Sequence, residues 1–353
     1  MSAPPRSALI VRLSSIGDVV HTLPAYSALR DAWPDTRLGW AVEPSAAPLV
    51  RALPGPLTVH ELDTAAWRRT AWRPSTWRTL RAVRHELQQA GYEVALDFQG
   101  LIKSALVARA SGARVIGLSA ADAREPLALR WYDETATPTD PNGHITGRSI
   151  GVVRAAGAPV GPPRFPRIAA ENDFRHVDEQ LAGRNIDGFI VAHGAANWSS
   201  KRWPLSRLAQ TGRELYRGSG LPVLWLWGPG EQEIACRIAA TAGDGNTAAF
   251  ATTLPQLAAL LSRARLFVGG DSAPLHMAVA CGTPTVAIFG PTAPQRLGPI
   301  DARDISVTSR QPCSFCHRRR CPLGTRACLE TLPAASVVSA ALQRLATAAQ
   351  QAG

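Results

Sequence analysis

Short apolar runs alternate with longer stretches of helical spacing along most of this 353-residue chain. Helical periodicity is clear around Pro24–Ala32 and Ile102–Ala110. In the first half, five runs are expected to form buried strands: Ala8–Val11, Arg37–Val42, Leu57–His60, Val94–Phe98 and Arg114–Gly117. Because a helix between two strands lets them lie side by side in the same direction, the alternation predicts a mostly parallel, doubly wound sheet.

The alternation resumes after a segment rich in Gly and Pro, residues 157–166, which is expected to be a linker. The strands expected beyond it are Phe189–His193, Val223–Trp227, Leu266–Gly269 and Thr285–Phe289. A chain of this length also exceeds the size at which one hydrophobic core keeps growing. The sequence therefore predicts an α/β fold of two Rossmann-like domains, residues 1–160 and 161–335.

The C-terminal residues 336–353 belong to an Ala-rich run of helical spacing that starts at Ala334. In two-domain folds of this kind, a last helix often crosses back to the first domain. No run approaches the ~20 apolar residues of a membrane span, and the first residues lack the apolar core of a signal peptide. The expected location is therefore the cytoplasm.

The net charge of +11 at pH 7 points to an anionic partner, either nucleic acid, a phosphorylated small molecule or the anionic face of a membrane. Nearly all the basic residues are arginines, whose planar forks suit phosphate and carboxylate groups. They crowd between Trp67 and Arg84, and again at Arg318–Arg320. Charge alone does not choose among these partners.

Two segments carry polar residues on a Gly-containing turn directly after a predicted strand. The first runs from Arg12 to Asp18, and the second runs from Gly269 to His276. Open α/β sheets bind their ligands at the carboxyl ends of strands. One such turn in each half suggests a cleft between the two domains.

Four of the six cysteines are bunched in the segment 311–330. They form a CxxC pair followed by two wider spacings, at Cys313, Cys316, Cys321 and Cys328. Structural disulfides are rare in cytosolic proteins. A closed tetrahedral site for structural zinc or iron fits so compact a set of thiolates, and four free thiols are the alternative.

Several motifs occur in an order that resembles the ADP-heptose lipopolysaccharide heptosyltransferases, glycosyltransferase family nine. They are residues 13–24 (LSSIGDVVHTLP), 97–104 (DFQGLIKS), 124–127 (REPL), and 270–276 with 289–292 (GDSAPLH and FGPT). The resemblance covers nearly the whole chain and is closest to the heptosyltransferase I branch, which adds the first heptose to Kdo-lipid A. It implies a GT-B fold and an inverting transfer from ADP-heptose that needs no cofactor for catalysis.

The resemblance implies two catalytic residues. An inverting transfer needs a group that takes the proton of the attacking hydroxyl, and this role falls to Asp18. The alternative is that Asp18 caps a helix beginning near Val19. Lys201 matches the lysine that neutralises the diphosphate, and its alternative is a solvated surface charge.

The same resemblance implies a nucleotide-sugar site around the second turn. Free N–H groups at the start of a helix stabilise a diphosphate. Ser272 and Ala273 stand where the family generally has Thr and Gly, and Ala273 adds a side chain where backbone must approach phosphate. A ribose is expected to bind either Glu231 or Glu233, and His276 is explained equally well as a structural histidine. The full expected set is Arg12, Gly17, Glu231, Glu233, Gly270, Asp271, Ser272, Ala273 and His276.

On the acceptor side, the resemblance places Gln99, Lys103, Arg124 and Glu125 near the Kdo sugars. Arg and Lys suit carboxylated and phosphorylated saccharides because both donate charge-assisted hydrogen bonds.

The Arg-rich stretch is interleaved with Trp67, Trp72 and Trp77. It is expected to meet lipid A phosphates and the surface of the inner membrane, because Trp favours that boundary and Arg is attracted to anionic lipid. This would make the protein peripheral to the inner membrane. The alternative is a solvated helix whose tryptophans pack inward.

Two other functions stay open. One keeps ADP-heptose as donor and uses a protein hydroxyl as acceptor, as in the family branch that modifies autotransporters. The cysteine cluster favours it, and the REPL motif at 124–127 opposes it. The other is a basic, metal-stabilised nucleic-acid-binding protein, although no nucleic-acid-binding motif is present and the charge does not form a stripe that would track a groove.

Overall fold

The computed structural model describes residues 3–140 and 142–352. The outer ends of the predicted domains, residues 1 and 353, lie outside this range. Contacts divide the chain into two compact units, with the boundary between Ile168 and Ala169, shortly after the predicted boundary at residue 160. Each unit is built around one parallel sheet.

The first unit follows the predicted alternation. Its strands are β1 (Ser7–Val11), β2 (Arg37–Val42), β3 (Leu57–Glu61), β4 (Val94–Asp97), β5 (Arg114–Gly117) and β6 (Glu134–Thr135). Its helices are α1 (Ile16–Ala32), α2 (Ala47–Arg51), α3 (Thr64–Arg69), α4 (Pro74–Gln89), α5 (Ile102–Ala110) and α6 (Thr146–Ala155), with a 3-10 helix at Pro126–Trp131. The five predicted strands are confirmed. Strand β6 was not predicted, because it is two residues long and exposed.

The first sheet has the strand order β3-β2-β1-β4-β5-β6, and every neighbouring pair is parallel. This is the Rossmann order, in which the chain changes direction across the sheet between β1 and β4. Val11 lies beside Asp97 at this switch point. The residues that follow β1 and β4 therefore emerge next to each other, at the edge where such sheets bind ligands.

The second unit repeats the plan. Its strands are β7 (Ile190–His193), β8 (Val223–Leu226), β9 (Asn246–Ala248), β10 (Leu266–Gly270), β11 (Thr285–Ile288) and β12 (Ile305–Val307). Its helices are α7 (Glu171–Ala182), α8 (Leu205–Ser219), α9 (Gln232–Ala242), α10 (Leu254–Arg263), α11 (Ala273–Ala280), α12 (Pro294–Leu297), α13 (Ala327–Glu330) and α14 (Ala334–Ala352), with a 3-10 helix at Ser199–Lys201. The four predicted strands are confirmed, whereas β9 and β12 were not predicted, because each is only three residues long.

The second sheet has the order β12-β11-β10-β7-β8-β9, again with parallel pairs only. Read from its other end this is the same Rossmann order, so its switch point lies between β7 and β10. Gly269 lies beside His193 there. The turn that follows β10 thus shares an edge with the end of β7.

The last helix, α14, packs on α8 and on β10, β11 and β12. Arg344 on α14 and Asp304 form a buried ion pair with an N–O distance of 2.9 Å. The expectation for this helix was a return to the first domain, but these contacts place it in the second unit. Within the described residues, no helix is both long enough and apolar enough to cross a membrane.

Candidate active site

Asp18 lies in the first turn of α1 and is held from two sides. The N–H and the hydroxyl of Ser15 donate to its Oδ2 at 3.1 Å, and Nη2 of Arg12 lies 3.0 Å from its Oδ1. The helix begins at Ile16 rather than near Val19, so Asp18 is not the residue before the helix. It does satisfy a backbone donor there, yet its side chain is still 42% exposed. The carboxylate is therefore both fixed and accessible.

Arg12 and Gln99 join the carboxyl ends of the two strands at the first switch point. Arg12 donates to the carbonyl of Phe98, and the N–H of Leu13 donates to Oε1 of Gln99 at 2.8 Å. Arg12 was expected to contact the nucleotide sugar, and the structure places it beside Asp18 in the first unit. Gly17 is buried in the first turn of α1.

A buried carboxylate that the sequence did not single out organises the turn after β4. Asp97 accepts hydrogen bonds at 2.8 Å from the N–H of Gln99, the hydroxyl of Ser104 and the hydroxyl of Tyr132. Burial raises the pKa of Asp97, even though these hydrogen bonds oppose the shift. The signal was present in the DFQG motif, where Asp97 directly precedes the turn that carries Gln99.

The other expected acceptor residues lie around the same edge. Nζ of Lys103 contacts Oε1 of Glu43 at 2.8 Å, so its charge is partly neutralised. Glu125 accepts the N–H of Ile102 at 2.8 Å and so satisfies the first turn of α5. Arg124 is exposed. Of this set, Gln99 and Glu125 accept hydrogen bonds from backbone N–H groups, whereas the side chain of Arg124 is exposed to solvent.

Asp271 is the centre of a buried polar cluster at the second switch point. Its Oδ2 lies 2.6 Å from Nζ of Lys201 and accepts the hydroxyl of Thr292 at 2.6 Å, and its Oδ1 lies 3.1 Å from Nε2 of His276. Burial opposes ionisation, but the hydrogen bond and charge of His276 and the ammonium of Lys201 outweigh it and lower the pKa of Asp271. A carboxylate so enclosed positions Lys201. It is itself a poor partner for phosphate.

A second chain of contacts connects the predicted ribose residues to this turn. His193, at the end of β7, places Nδ1 3.1 Å from Oγ of Ser272 and Nε2 3.5 Å from Oε2 of Glu231. Glu231 also accepts the N–H of Gly228 at 2.9 Å, and the hydrogen bond with His193 lowers the pKa of Glu231. Glu233 is exposed in the first turn of α9. Sequence reasoning missed His193, because a lone histidine at a strand end carries no motif.

Helix α11 starts directly after the turn that follows β10. Ser272 is the residue before the helix, and its hydroxyl donates to the carbonyl of Gly270 at 3.1 Å. Ala273 and Pro274 form the first turn, where backbone N–H groups lack helical partners and proline has none to leave unpaired. The positive end of the helix adds to the ammonium of Lys201 nearby.

The predicted metal site is not supported. Within residues 3–140 and 142–352, no three His, Cys, Asp or Glu side chains are grouped so that they can hold a metal ion. The thiols are free, and their surroundings differ, since Cys316 is exposed and Cys328 is buried. Burial raises the pKa of Cys328, and its three neighbouring thiols raise it further. The CxxC spacing is a local property, whereas a tetrahedral arrangement of four sulfurs around one metal ion depends on the whole intervening backbone.

The Arg-rich stretch forms α3, the following turn and α4. Trp67 packs partly against the core of the first unit, but Trp72 is 76% exposed and Trp77 is 57% exposed. The expectation that the tryptophans pack inward therefore holds for one of the three. The stretch also carries exposed arginines, none of which forms an ion pair within the described chain: Arg68, Arg69, Arg73, Arg78, Arg81 and Arg84.

Two Rossmann-like units, each with a charged cluster at its switch point, define the GT-B class of glycosyltransferases. The chain belongs to glycosyltransferase family 9 (heptosyltransferase), whose model matches residues 80–326. It is 31% identical over 323 residues to lipopolysaccharide heptosyltransferase 1 of Pseudomonas aeruginosa, covering 89% of this chain and 86% of that protein. Lipopolysaccharide heptosyltransferase 1 of Escherichia coli K12 is 28% identical over 299 residues, which cover 82% of this chain and 89% of that protein.

A solved structure shares the architecture. The E. coli heptosyltransferase WaaC with ADP superposes with a TM-score of 0.74 at 25% identity, covering 94% of this chain and 98% of that one. The GT-B fold expected from the sequence is thereby confirmed, and so is membership of the family that the motifs resemble.

Proposed function

We propose that this protein transfers heptose from ADP-heptose to a Kdo residue of the lipopolysaccharide inner core, with inversion at the anomeric carbon. The observation that carries the proposal is the Lys201–Asp271 cluster at the start of α11, in a chain that belongs to family 9. The similarity to two lipopolysaccharide heptosyltransferases 1 supports the choice of acceptor.

On the acceptor side, the first unit binds the Kdo sugar and Asp18 acts as the general base. The acceptor oxygen attacks the anomeric carbon while the bond from that carbon to the phosphate oxygen breaks. The hydroxyl proton passes to the Asp18 carboxylate, and Arg12 keeps that carboxylate in place. Arg124 is the exposed cation available to a Kdo carboxylate.

On the donor side, the second unit binds ADP-heptose. The ammonium of Lys201 and the N–H groups at the start of α11 stabilise the charge that grows on ADP as the bond breaks. Asp271 keeps Lys201 at this position and is not itself a ligand. The ribose hydroxyls bind either Glu231, the residue before α9, or Glu233, in its first turn. No metal ion or other cofactor takes part in this scheme.

The enzyme works at the cytoplasmic face of the inner membrane, where its lipid-linked acceptor lies. The support for this placement is the cationic surface of α3 and α4, with Trp72 and Trp77 exposed on it. Arg side chains are attracted to anionic headgroups, and Trp rings settle at the interface between headgroups and acyl chains.

The test is to incubate the protein with ADP-heptose and a panel of acceptors and to identify the products by mass spectrometry. Kdo-lipid A is expected to gain one heptose. A Ser-rich autotransporter fragment represents the alternative in which a protein hydroxyl is the acceptor. Duplex DNA represents the alternative of a nucleic-acid-binding protein. Transfer to the protein fragment but not to Kdo-lipid A would overturn the choice of acceptor, and no transfer to any acceptor would overturn the proposed activity.

A further inference from the structure

The cysteine-rich segment, residues 311–330, is built onto the two turns that carry the candidate diphosphate site. The N–H of Phe315 donates to the carbonyl of Gly290 at 3.0 Å, and the N–H of His317 donates to the carbonyl of Pro291 at 2.7 Å. The next residue, Thr292, donates its hydroxyl to Asp271. The segment is therefore bound to Pro291, the neighbour of the residue that donates to the buried carboxylate of Asp271.

On its other side, the segment holds the turn that carries Lys201. The hydroxyl of Ser200 donates to the carbonyl of Arg318 at 2.7 Å, and the N–H of Ser200 donates to the carbonyl of Arg319 at 3.4 Å. Nη1 of Arg326 also donates to the carbonyl of Arg202 at 3.3 Å. These contacts use backbone carbonyls of Arg318 and Arg319, so their side chains remain available for another purpose.

The side chain of Arg319 reaches the same aromatic ring as Lys201. The guanidinium carbon of Arg319 lies 5.6 Å from the centre of the Trp198 ring, and Nζ of Lys201 lies 4.3 Å from it. Both cations therefore contact the Trp198 indole, whose ring attracts positive charge. A phosphate group next to this ring would be attracted by both cations.

His317 adds a third nitrogen-bearing group to this surface. Burial lowers the pKa of His317, and the charges of Arg296 and Lys201 lower it further, while Asp271 acts in the opposite sense. The backbone of His317 is bound to the carbonyl of Pro291, the residue before Thr292, so His317 lies beside the turn that contacts Asp271. Its backbone has φ 54°, and that of Phe315 has φ 64°. Such left-handed conformations are uncommon for residues other than glycine, and they cluster at functional sites.

The backbone of Gly290 allows the segment to approach this closely. A Cβ atom at Gly290 would lie 2.7 Å from Cγ of Leu329 and 3.1 Å from Sγ of Cys328. Cys328 and Leu329 belong to the hydrophobic core of the second unit. The segment is thus anchored by burial at one end, while its Arg-rich middle lies over the turn of Lys201.

We propose that the cysteine-rich segment forms a wall of the donor site, in which Arg319 and His317 bind the diphosphate of the nucleotide sugar together with Lys201. This inference rests on the proposed function, because it needs a nucleoside diphosphate at the Lys201–Asp271 cluster. The chemistry is a charge-assisted hydrogen bond from the guanidinium to a phosphate oxygen and a second hydrogen bond from the imidazole. The segment then contributes to donor affinity through its side chains, independently of any metal.

The test measures the affinity for ADP and for adenosine by isothermal titration calorimetry. Arg319→Ala and His317→Asn are the variants, since Asn tolerates the left-handed backbone of His317. Arg318→Ala is the matched control, because it removes an adjacent exposed arginine and keeps the same backbone contacts. We expect Arg319→Ala to weaken ADP about 10-fold and His317→Asn a few-fold, with adenosine affinity and thermal stability unchanged. The control is expected to bind ADP as the wild type does.

The outcomes separate this inference from the proposed function. Failure of the wild type to bind ADP would overturn the proposed function itself. If the wild type binds ADP but both Arg319→Ala and His317→Asn bind ADP with unchanged affinity, the inference is overturned. If only one of the two variants keeps the wild-type affinity, the residue changed in that variant does not belong to the site. An equal loss for ADP and adenosine would also overturn it, because the segment would then act only as a structural support.

Discussion

Arg12 and Asp18 form an ion pair of 3.0 Å at the switch point of the first sheet, and the same guanidinium donates to the carbonyl of Phe98. One side chain thus ties the candidate base on α1 to the turn that follows β4. The pair is partly open to solvent on the side of Asp18. This combination of fixed direction and access is what a general base requires.

The first prediction concerns Asp18 itself. Asp18→Asn keeps the shape of the side chain and removes its ability to accept the hydroxyl proton. We expect the rate of heptose transfer to fall by about 10²- to 10⁴-fold, while the affinity for ADP-heptose stays within about twofold. Steady-state transfer kinetics and calorimetric titration measure the two quantities. Ser15→Ala is the control, because it removes one hydroxyl contact to Asp18 and leaves the carboxylate in place. Full activity in Asp18→Asn would remove this residue from the reaction.

The second prediction concerns the stability of the Lys201–Asp271 pair. Both side chains are largely enclosed, at 14% and 4% exposed. Lys201→Met leaves a buried carboxylate without its cation, so the free energy of unfolding should fall by about 3 kcal/mol. Urea denaturation measures it. The matched control is Arg263→Met, whose ion pair with Asp178 is 48% exposed at both ends and should contribute less than about 1 kcal/mol. Equal effects of the two substitutions would contradict the role given to burial.

The third prediction is the pH dependence that follows from Asp271. Its pKa is lowered in the folded protein, so its contribution to stability is complete above the unfolded pKa of about 3.9. The contribution is lost as the pH falls through that value towards the lower folded one. The difference in unfolding free energy between wild type and Asp271→Asn should therefore be constant above about pH 5 and shrink steadily from there to about pH 3. Denaturant titrations at four pH values measure it, and a difference that grows on acidification would contradict the lowered pKa.

The fourth prediction concerns the cationic surface of α3 and α4. Replacing the exposed Trp72 and Trp77 together by Ser should weaken binding to anionic phosphatidylglycerol vesicles by about 10-fold or more, because each ring loses burial at the interface. Vesicle co-sedimentation measures the affinity, and neutral phosphatidylcholine vesicles should bind weakly in every case. Leu106→Ser is the control, since Leu106 is an exposed apolar residue elsewhere on the first unit. Unchanged binding in the double variant would mean that these rings do not enter the membrane.

Much of the fold was predictable because buried strands and amphipathic helices are local patterns. The predicted runs at Val94–Phe98 and Leu266–Gly269 differ from β4 and β10 by a residue at one end. The strands that escaped prediction, such as β6 and β9, have little apolar surface and owe their existence to a neighbouring strand. These strands form because they pair with a neighbouring strand, and that pairing cannot be recognised in the local sequence.

Some residues of the candidate site could likewise be predicted from the sequence, and others could not. Asp18, Lys201 and Asp271 stand in recognisable motifs and were predicted, although the structure gives Asp271 a positioning role in place of a phosphate contact. His193 and Asp97 were missed because each acts through partners that are far away along the chain. For the cysteines, the spacing left a metal site and free thiols both open, and the described residues show no group of side chains that can hold a metal ion.

By itself, the sequence determined the α/β alternation, the division into two units and the family, because strand and helix periods and short motifs are properties of neighbouring residues. Only the tertiary structure decided what each charged group faces. The Arg12–Asp18 ion pair, the enclosure of Asp271 by Lys201, Thr292 and His276, and the position of the cysteine-rich segment beside Trp198 all join distant parts of the chain. Burial and Coulomb interactions depend on distance in space, and the order of residues along the chain does not specify that distance.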